Sequence, residues 1–211
     1  MSITLYHHPF SRAATALWML EEVGAPYELR FVDLLAGEQR SPAILALNPM
    51  GKLPILVDST PQGEAVVTEA AAIGVWLADR HAPGRLAPLP DDPARATFLR
   101  WCFYSPSVIE PACMARANGW EFKPGQAGWG RWEDMLEALE RGIGDGPWLL
   151  GDTFTMADVI LGGTLRWMLQ FKMIDARPAL VAYADRLAAR PALIAADARN
   201  AQVIAERGLG R

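Results

Sequence analysis

Long apolar runs are missing from this sequence. No stretch approaches the roughly 18 consecutive apolar residues of a membrane-spanning helix, so no membrane partner is expected. Runs of Lys or Arg are missing as well, and the formal net charge is -4. A nucleic-acid footprint needs a basic patch, so no nucleic-acid partner is expected either. Cysteine is scarce: there are two, Cys102 and Cys113, and they form no C-x-x-C pair. Both fall in a segment that reads as one helix, where a rise of about 1.5 Å per residue sets them roughly 16 Å apart, beyond disulfide reach. The expectation is two reduced thiols, which argues against a dithiol oxidoreductase. There is no H-E-x-x-H, no Cys/His ligand spacing, no phosphate loop and no G-x-S-x-G, so no metal is expected. His7 and His8 are adjacent in a strand and point to opposite faces, which does not suit a shared metal. The sequence opens directly on the strand-like Ile3-Thr4-Leu5-Tyr6, with no basic segment followed by an apolar one. No signal peptide is read there, and the expected location is the cytoplasm.

What is present is an ordinary globular composition, 51% apolar and 21% charged over 211 residues. That length allows one large domain or two small ones. Residues 3–8 read as a strand and 11–23 as a helix, stopped by Gly24 and Pro26. Tyr27, Leu29 and Phe31 alternate with Glu28 and Arg30, the pattern of a half-buried strand. A short helix is expected over 41–47. Ile55-Leu56-Val57 and Ala65-Val66-Val67 read as two strands, with a hairpin turn from Asp58 to Gly63. Helix returns from Glu69 to about Ala82, giving β-α-β-α-β-β-α. Pro83, Gly84, Pro88, Pro90 and Pro93 mark a linker. Beyond it only helices are read, over 93–117, 130–143, 155–171, 178–189 and 191–206. The division is therefore residues 1–80, an α/β domain; 81–92, a linker; and 93–211, an all-helical domain.

The most informative segment is Asn48-Pro49-Met50-Gly51-Lys52-Leu53-Pro54-Ile55-Leu56. Pro54 stands at the first position of a strand, where a missing N–H is tolerated. A cis bond there would leave the Leu53 N–H and C=O free to pair with an extended peptide. Taken alone, Leu-Pro-Ile-Leu also reads as a plain turn before a strand. Fifteen residues after Pro54 comes Glu69, followed by Ala70, Ala71, Ala72 and Ile73, at a strand-to-helix junction. Free N–H groups at such a helix start form a carboxylate site.

These two segments resemble the cytosolic glutathione transferases, whose first domain carries N-P-x-G-K-[LV]-P, a hairpin, then E-S-x-A-I at the start of a helix. Here the first motif is entire. The second keeps Glu69, Ala72 and Ile73 and has Ala70 in place of Ser. A third marker, Gly151-Asp152-Thr153-Phe154-Thr155-Met156-Ala157-Asp158, is similar to the family's G-x-x-[ST]-x-A-D box. Thr155 and Asp158 there have the spacing of a capping box, a folding element rather than a catalytic one. The resemblance covers nearly the whole chain. It implies a thioredoxin-like glutathione-binding domain followed by the helical domain, and a homodimer. It also implies that the Leu53 backbone, beside Pro54, pairs with the cysteinyl part of glutathione, that Glu69 holds the γ-glutamyl amine, and that the Ala70 N–H holds the α-carboxylate. Lys52 and Gln39 would lie near the glycyl carboxylate. The missing hydroxyl at position 70 implies weaker glutathione binding rather than none.

A free thiol has a pKa of about 8.5, so a thiolate at pH 7 needs a depression of roughly 2 units, or about 3 kcal/mol. A hydroxyl at a helix N-terminus supplies much of that. Ser11 follows the first strand and precedes Arg12, as in the family's serine-type, theta-like members, and it is the expected thiolate donor. It also reads as a simple helix cap. Tyr6 is the other candidate hydroxyl, although an aromatic within the strand reads more simply as buried. For a second substrate, the resemblance implies a pocket by the first-helix loop and the helices 93–117 and 155–171, with Tyr104, Ser107, Met114, Trp167 and Phe171 as candidates. Each of these also reads as plain core. The implied activity is addition of glutathione to small apolar electrophiles, the chemistry of detoxification. Glutathione-dependent peroxide reduction, isomerisation or dehalogenation stays open, as does a non-catalytic scaffold.

Overall fold

Ile3, Leu5 and His7 are buried along β1 (Ile3–His7), while Thr4 and Tyr6 between them are half-buried. That alternation is what a strand with both faces covered unequally requires. The computed structural model describes residues 2–210. After β1 the chain forms α1 (Ala13–Val23), closed at Gly24, and then β2 (Tyr27–Phe31), which pairs parallel to β1. A 3-10 turn at Glu38–Arg40 leads into α2 (Pro42–Leu47), whose first turn is capped by Ser41 accepting from the Ile44 N–H. β3 (Ile55–Thr60) runs antiparallel to β1, and β4 (Gly63–Thr68) antiparallel to β3. The sheet order is β2-β1-β3-β4, and α3 (Ala70–His81) follows. This is the expected α/β arrangement.

The hairpin differs in extent from the sequence reading. Its ladder continues to Thr60 opposite Gly63, so the turn shrinks from Asp58–Gly63 to Pro61-Gln62. Asp58, which reads as a turn residue, is fully buried inside the strand. Its Oδ2 accepts from Trp76 Nε1 at 2.9 Å and meets His81 Nε2 at 2.9 Å and Arg80 Nε at 3.0 Å, all on α3. A buried carboxylate persists only with such partners.

Residues 82–189 form the second unit. Where one helix is expected over 93–117, the chain makes α4 (Ala94–Tyr104), a π-helical turn at Ser105–Ile109, and α5 (Glu110–Ala117). Pro106 and Pro111 each remove a helical N–H donor, and the Glu110 N–H reaches back to the Ser105 carbonyl with π spacing. Then come α6 (Trp132–Ile143), α7 (Met156–Gln170) and α8 (Pro178–Ala188), with α4 packed on α7 and α8 on both α6 and α7. Gly142 on α6 lies against Trp101 of α4, and a Cβ there would fall 1.9 Å from the indole ring. The capping box at Thr155 and Asp158 is present. Asp158 is buried and also accepts from the Leu149 N–H at 2.9 Å and the Tyr183 hydroxyl at 2.8 Å. Burial pushes its carboxyl pKa up, and those donors pull against the shift. Cys102 and Cys113 are buried and not joined in a disulfide.

The last helix, which the sequence reading places in the helical domain of 93–211, has its contacts with the sheet unit. α9 (Pro191–Arg207) groups with residues 1–81 and packs on α1. Arg190 at its start makes two bonds to buried Glu22 of α1, at 2.6 and 2.8 Å, and Trp18 Nε1 donates to the same carboxylate at 3.0 Å. Asn200 Oδ1 lies 2.7 Å from His7 Nε2. These polar ties, together with buried Leu193, Ala196 and Val203, fasten α9 to the sheet unit.

Candidate functional site

The register of the sheet assembles the site. Tyr6 of β1 pairs with Ile55 of β3, and Ile55 pairs with Thr68 of β4. Adjacent strands lie about 4.8 Å apart, so the residues just beyond these three share one edge of the sheet. They are His7 onward, Leu53–Pro54 and Glu69.

At the middle of that edge the Leu53–Pro54 peptide is cis. The Leu53 side chain packs against Val32, Ile44 and Ile55, while its N–H and C=O find no partner among the described residues. The loop before it is folded by buried Asn48. Its carbonyl accepts from the Gly51 N–H, its Oδ1 accepts from the Met50 N–H at 3.1 Å, and its amide donates to the Lys52 carbonyl at 3.0 Å. Gly51 has φ +58, and a Cβ there would meet the Gln39 carbonyl at 2.8 Å, so only glycine lets the loop approach the 3-10 turn so closely. That approach brings Gln39 beside the segment that carries Lys52. Lys52 is exposed, and Gln39 Oε1 is buried with no hydrogen-bond partner among the described residues.

At one end stands Glu69, exposed and with φ 68. The Ile73 N–H donates to the Glu69 carbonyl at 2.9 Å, so the N–H groups of Ala70, Ala71 and Ala72 precede the first intrahelical bond of α3. N–H groups left so at a helix start suit an anion, whether or not residue 70 carries a hydroxyl.

At the other end is the turn from β1 into α1. Ser11 is half-buried. Its hydroxyl donates to the His8 carbonyl at 2.8 Å and accepts from the Ala13 N–H at 3.1 Å. Ser11 thus ties the turn just ahead of α1, whose N-cap residue is Arg12 and makes no side-chain cap bond. The Tyr6 hydroxyl, farther down the strand, accepts from Arg30 at 3.4 Å, and the Arg30 guanidinium lies over the Tyr6 ring. His7 and His8, weighed from sequence only as a metal pair, are both buried. Burial lowers the pKa of each; that of His7 falls to about 4. Among the described residues no group of three or more His, Cys, Asp or Glu comes together as a metal site.

The five residues expected around a second substrate all lie in the second unit. Tyr104 is half-buried, rests edge-on against Trp101 and directs its hydroxyl to the Met135 carbonyl at 3.5 Å. Ser107 is exposed on the π-helical turn, and Met114 is exposed on α5. Trp167 and Phe171 do come together, with ring centres 4.7 Å apart on the exposed side of α7. A cleft of about 600 Å³ bounded by Arg100, Trp101, Glu137 and Arg141 contains none of the five. Among the described residues no helix is long and apolar enough to cross a membrane.

Comparison with known proteins gives the same picture from a different direction. Residues 1–79 match the family model for the glutathione S-transferase N-terminal domain, and 111–195 match the model for the glutathione S-transferase C-terminal domain. The chain is 30% identical to glutathione S-transferase 3 of Zea mays, with 90% of both chains covered. It is 28% identical to glutathione S-transferase F14 of Arabidopsis thaliana over 85% of this chain and 76% of that one. A glutathione transferase family member from Pseudomonas fluorescens, solved with two glutathione bound, superposes with a TM-score of 0.76 at 26% identity, covering 92% of this chain and 91% of that one. With matched domains in the same order and a relative covered almost end to end, the chain belongs to the glutathione S-transferase family.

Proposed function

We propose that this protein binds glutathione along the sheet edge, ionises its thiol and adds the sulfur to a small apolar electrophile. The observation that carries the reading is the row of open groups set by the register: the unpaired Leu53 main chain beside cis Pro54, and the α3 N-terminus under Glu69. The peptide of the ligand lies along Leu53 like an added strand. Its α-carboxylate takes the Ala70 N–H at the positive end of α3, its amine takes Glu69, and its glycyl carboxylate takes Lys52 and Gln39. Ser11 donates to the sulfur. The stacked Trp167 and Phe171, with Met114, Ser107 and Tyr104, supply the apolar and polar groups for the electrophile. Exposed Phe103 on α4 and the exposed Trp120 and Phe122 after α5 suit the interface of a homodimer, which sedimentation checks.

Calorimetric titration with glutathione tests the reading. Binding at micromolar to millimolar ligand is expected, and none at 10 times the millimolar range would sink it. A panel of electrophiles and peroxides then separates conjugation from peroxide reduction, isomerisation and dehalogenation. One observation favours a second reading, a scaffold without catalysis: the Ser11 proton already has an acceptor in the His8 carbonyl.

A further inference from the structure

His8 holds the turn between β1 and α1 twice. Its ring Nδ1 accepts from the Phe10 N–H at 3.2 Å, and its carbonyl accepts from both the Ser11 N–H at 3.1 Å and the Ser11 hydroxyl at 2.8 Å. The imidazole is only 2% exposed and sits with the Phe10 and Phe31 rings, 5.7 and 5.4 Å away between centres. A ring whose Nδ1 accepts carries its proton on Nε2 and is neutral; a second proton would set one donor against another at Phe10. Burial favours the neutral ring, while Asp33 beyond β2 opposes it. His7 is the adjacent titratable group, and Arg207 of α9 lies over the Phe31 ring.

The consequence reaches Ser11. Its oxygen is held by the Ala13 N–H, and its proton points to the His8 carbonyl. Rotation about the Cβ–Oγ bond is enough to transfer that hydrogen bond to a sulfur, with the oxygen staying where the turn has put it. We infer that His8 is a positioning residue for the thiolate: its neutral ring, through the Phe10 N–H, fixes the place from which the Ser11 hydroxyl donates. This rests on the reading of Ser11 as the thiolate donor. The ring itself does not touch the sulfur and moves no proton. Its protonation would open the turn and take the hydroxyl away from its post.

The experiment compares wild type, His8→Asn, His8→Ala and Ser11→Ala with glutathione and an activated aryl halide between pH 5 and 8. kcat is read per enzyme, and the bound thiolate fraction separately from its absorbance. Asn is chosen because its side-chain oxygen accepts from the N–H two residues on and does not titrate. His8→Ala should lower kcat about tenfold, with KM for glutathione changed by less than about twofold. His8→Asn should recover kcat to within about threefold of wild type and reduce the acid limb of the wild-type profile to the single ionisation of the bound thiol. An Asn variant as slow as the Ala variant, or one whose acid limb is as steep as that of wild type, overturns the inference; so does an Ala variant at the wild-type rate. If His8→Ala fails to fold, the acid limb of His8→Asn decides. Should Ser11→Ala leave rate and thiolate titration untouched, the Ser11 reading falls and takes the inference with it. Should Ser11→Ala be slow while both His8 variants match wild type, only the inference falls.

Discussion

Glu69 is in the left-handed region without being glycine. For an ordinary side chain that conformation costs roughly 1–2 kcal/mol, and Asn adopts it more readily. The side chain is exposed, so burial does not offset the cost. A residue kept there against its own backbone preference fits a ligand contact. Glu69→Asn is expected to raise unfolding stability in urea by up to about 1 kcal/mol. The same change should weaken glutathione binding at least about tenfold, the size of one lost bond to a charged group. Unaltered affinity would remove Glu69 from the site, and lower stability would remove the strain argument. Ser11→Ala is expected to slow conjugation at neutral pH about 10- to 150-fold by the same measure, with the rate recovering as pH rises and solvent ionises the thiol. A silent Ser11→Ala beside a shifted Tyr6→Phe profile would transfer the role to Tyr6. Residues 48–54 were legible in sequence because the loop is tied to its sequence neighbours: the Asn48 bonds run from Ile44 to Lys52. Gln39 is a different case, since it arrives through the close approach of Gly51, a contact no local pattern encodes.

Elements were legible where period and breakers act locally, and less so where a distant partner decides. β3 outruns its apolar letters because Asp58 finds Trp76, Arg80 and His81 some twenty residues on. The helical reading of 93–117 was right in kind, yet the two prolines impose a π turn that the apolar spacing does not announce. α9 reads as one more amphipathic helix, and its distant partners, Glu22 with Arg190 and His7 with Asn200, reveal which unit it serves. That pair is asymmetric: the Glu22 side chain is 4% exposed and that of Arg190 is 25%. Removing the cation strands a buried carboxylate, whereas removing the anion leaves a guanidinium that can hydrate. Arg190→Ala should therefore cost about 3 kcal/mol, and Glu22→Ala distinctly less. Equilibrium unfolding of both single variants and the double variant measures this. A Glu22 variant that is the more damaging of the two would show that Trp18 and packing, not the ion pair, hold α9.

The first unit is assembled from both ends of the chain, 1–81 and 190–211, with 82–189 as the second unit between them. His7 lies on the seam of that discontinuous unit, on β1 and bonded to Asn200 of α9. It is fully buried, and its Nδ1 has no hydrogen-bond partner among the described residues. Burial is the largest cause of its lowered pKa. The nearby His8 and Arg199 charges add to the shift, and the Asn200 bond opposes it, for a value of about 4 against the ordinary 6.5. A base whose pKa is lower when folded loses stability as pH falls, because the unfolded chain takes up the proton first. The loss should begin near pH 6.5, grow down to about pH 4 and then level off. At about 1.4 kcal/mol per unit the full effect is on the order of 3 kcal/mol. Most carboxylates titrate at or below the bottom of that window, so the slope above it belongs chiefly to buried histidine. His8, whose pKa is also lowered by burial, supplies part of it. His7→Gln separates the two, since an amide can keep a donor toward Asn200 and takes up no proton. Urea unfolding at pH 7, 6, 5 and 4.5 should show wild type weakening through this range and His7→Gln weakening markedly less. Parallel pH curves for the two proteins would mean that His7 is not the group that ties the folding of this unit to pH.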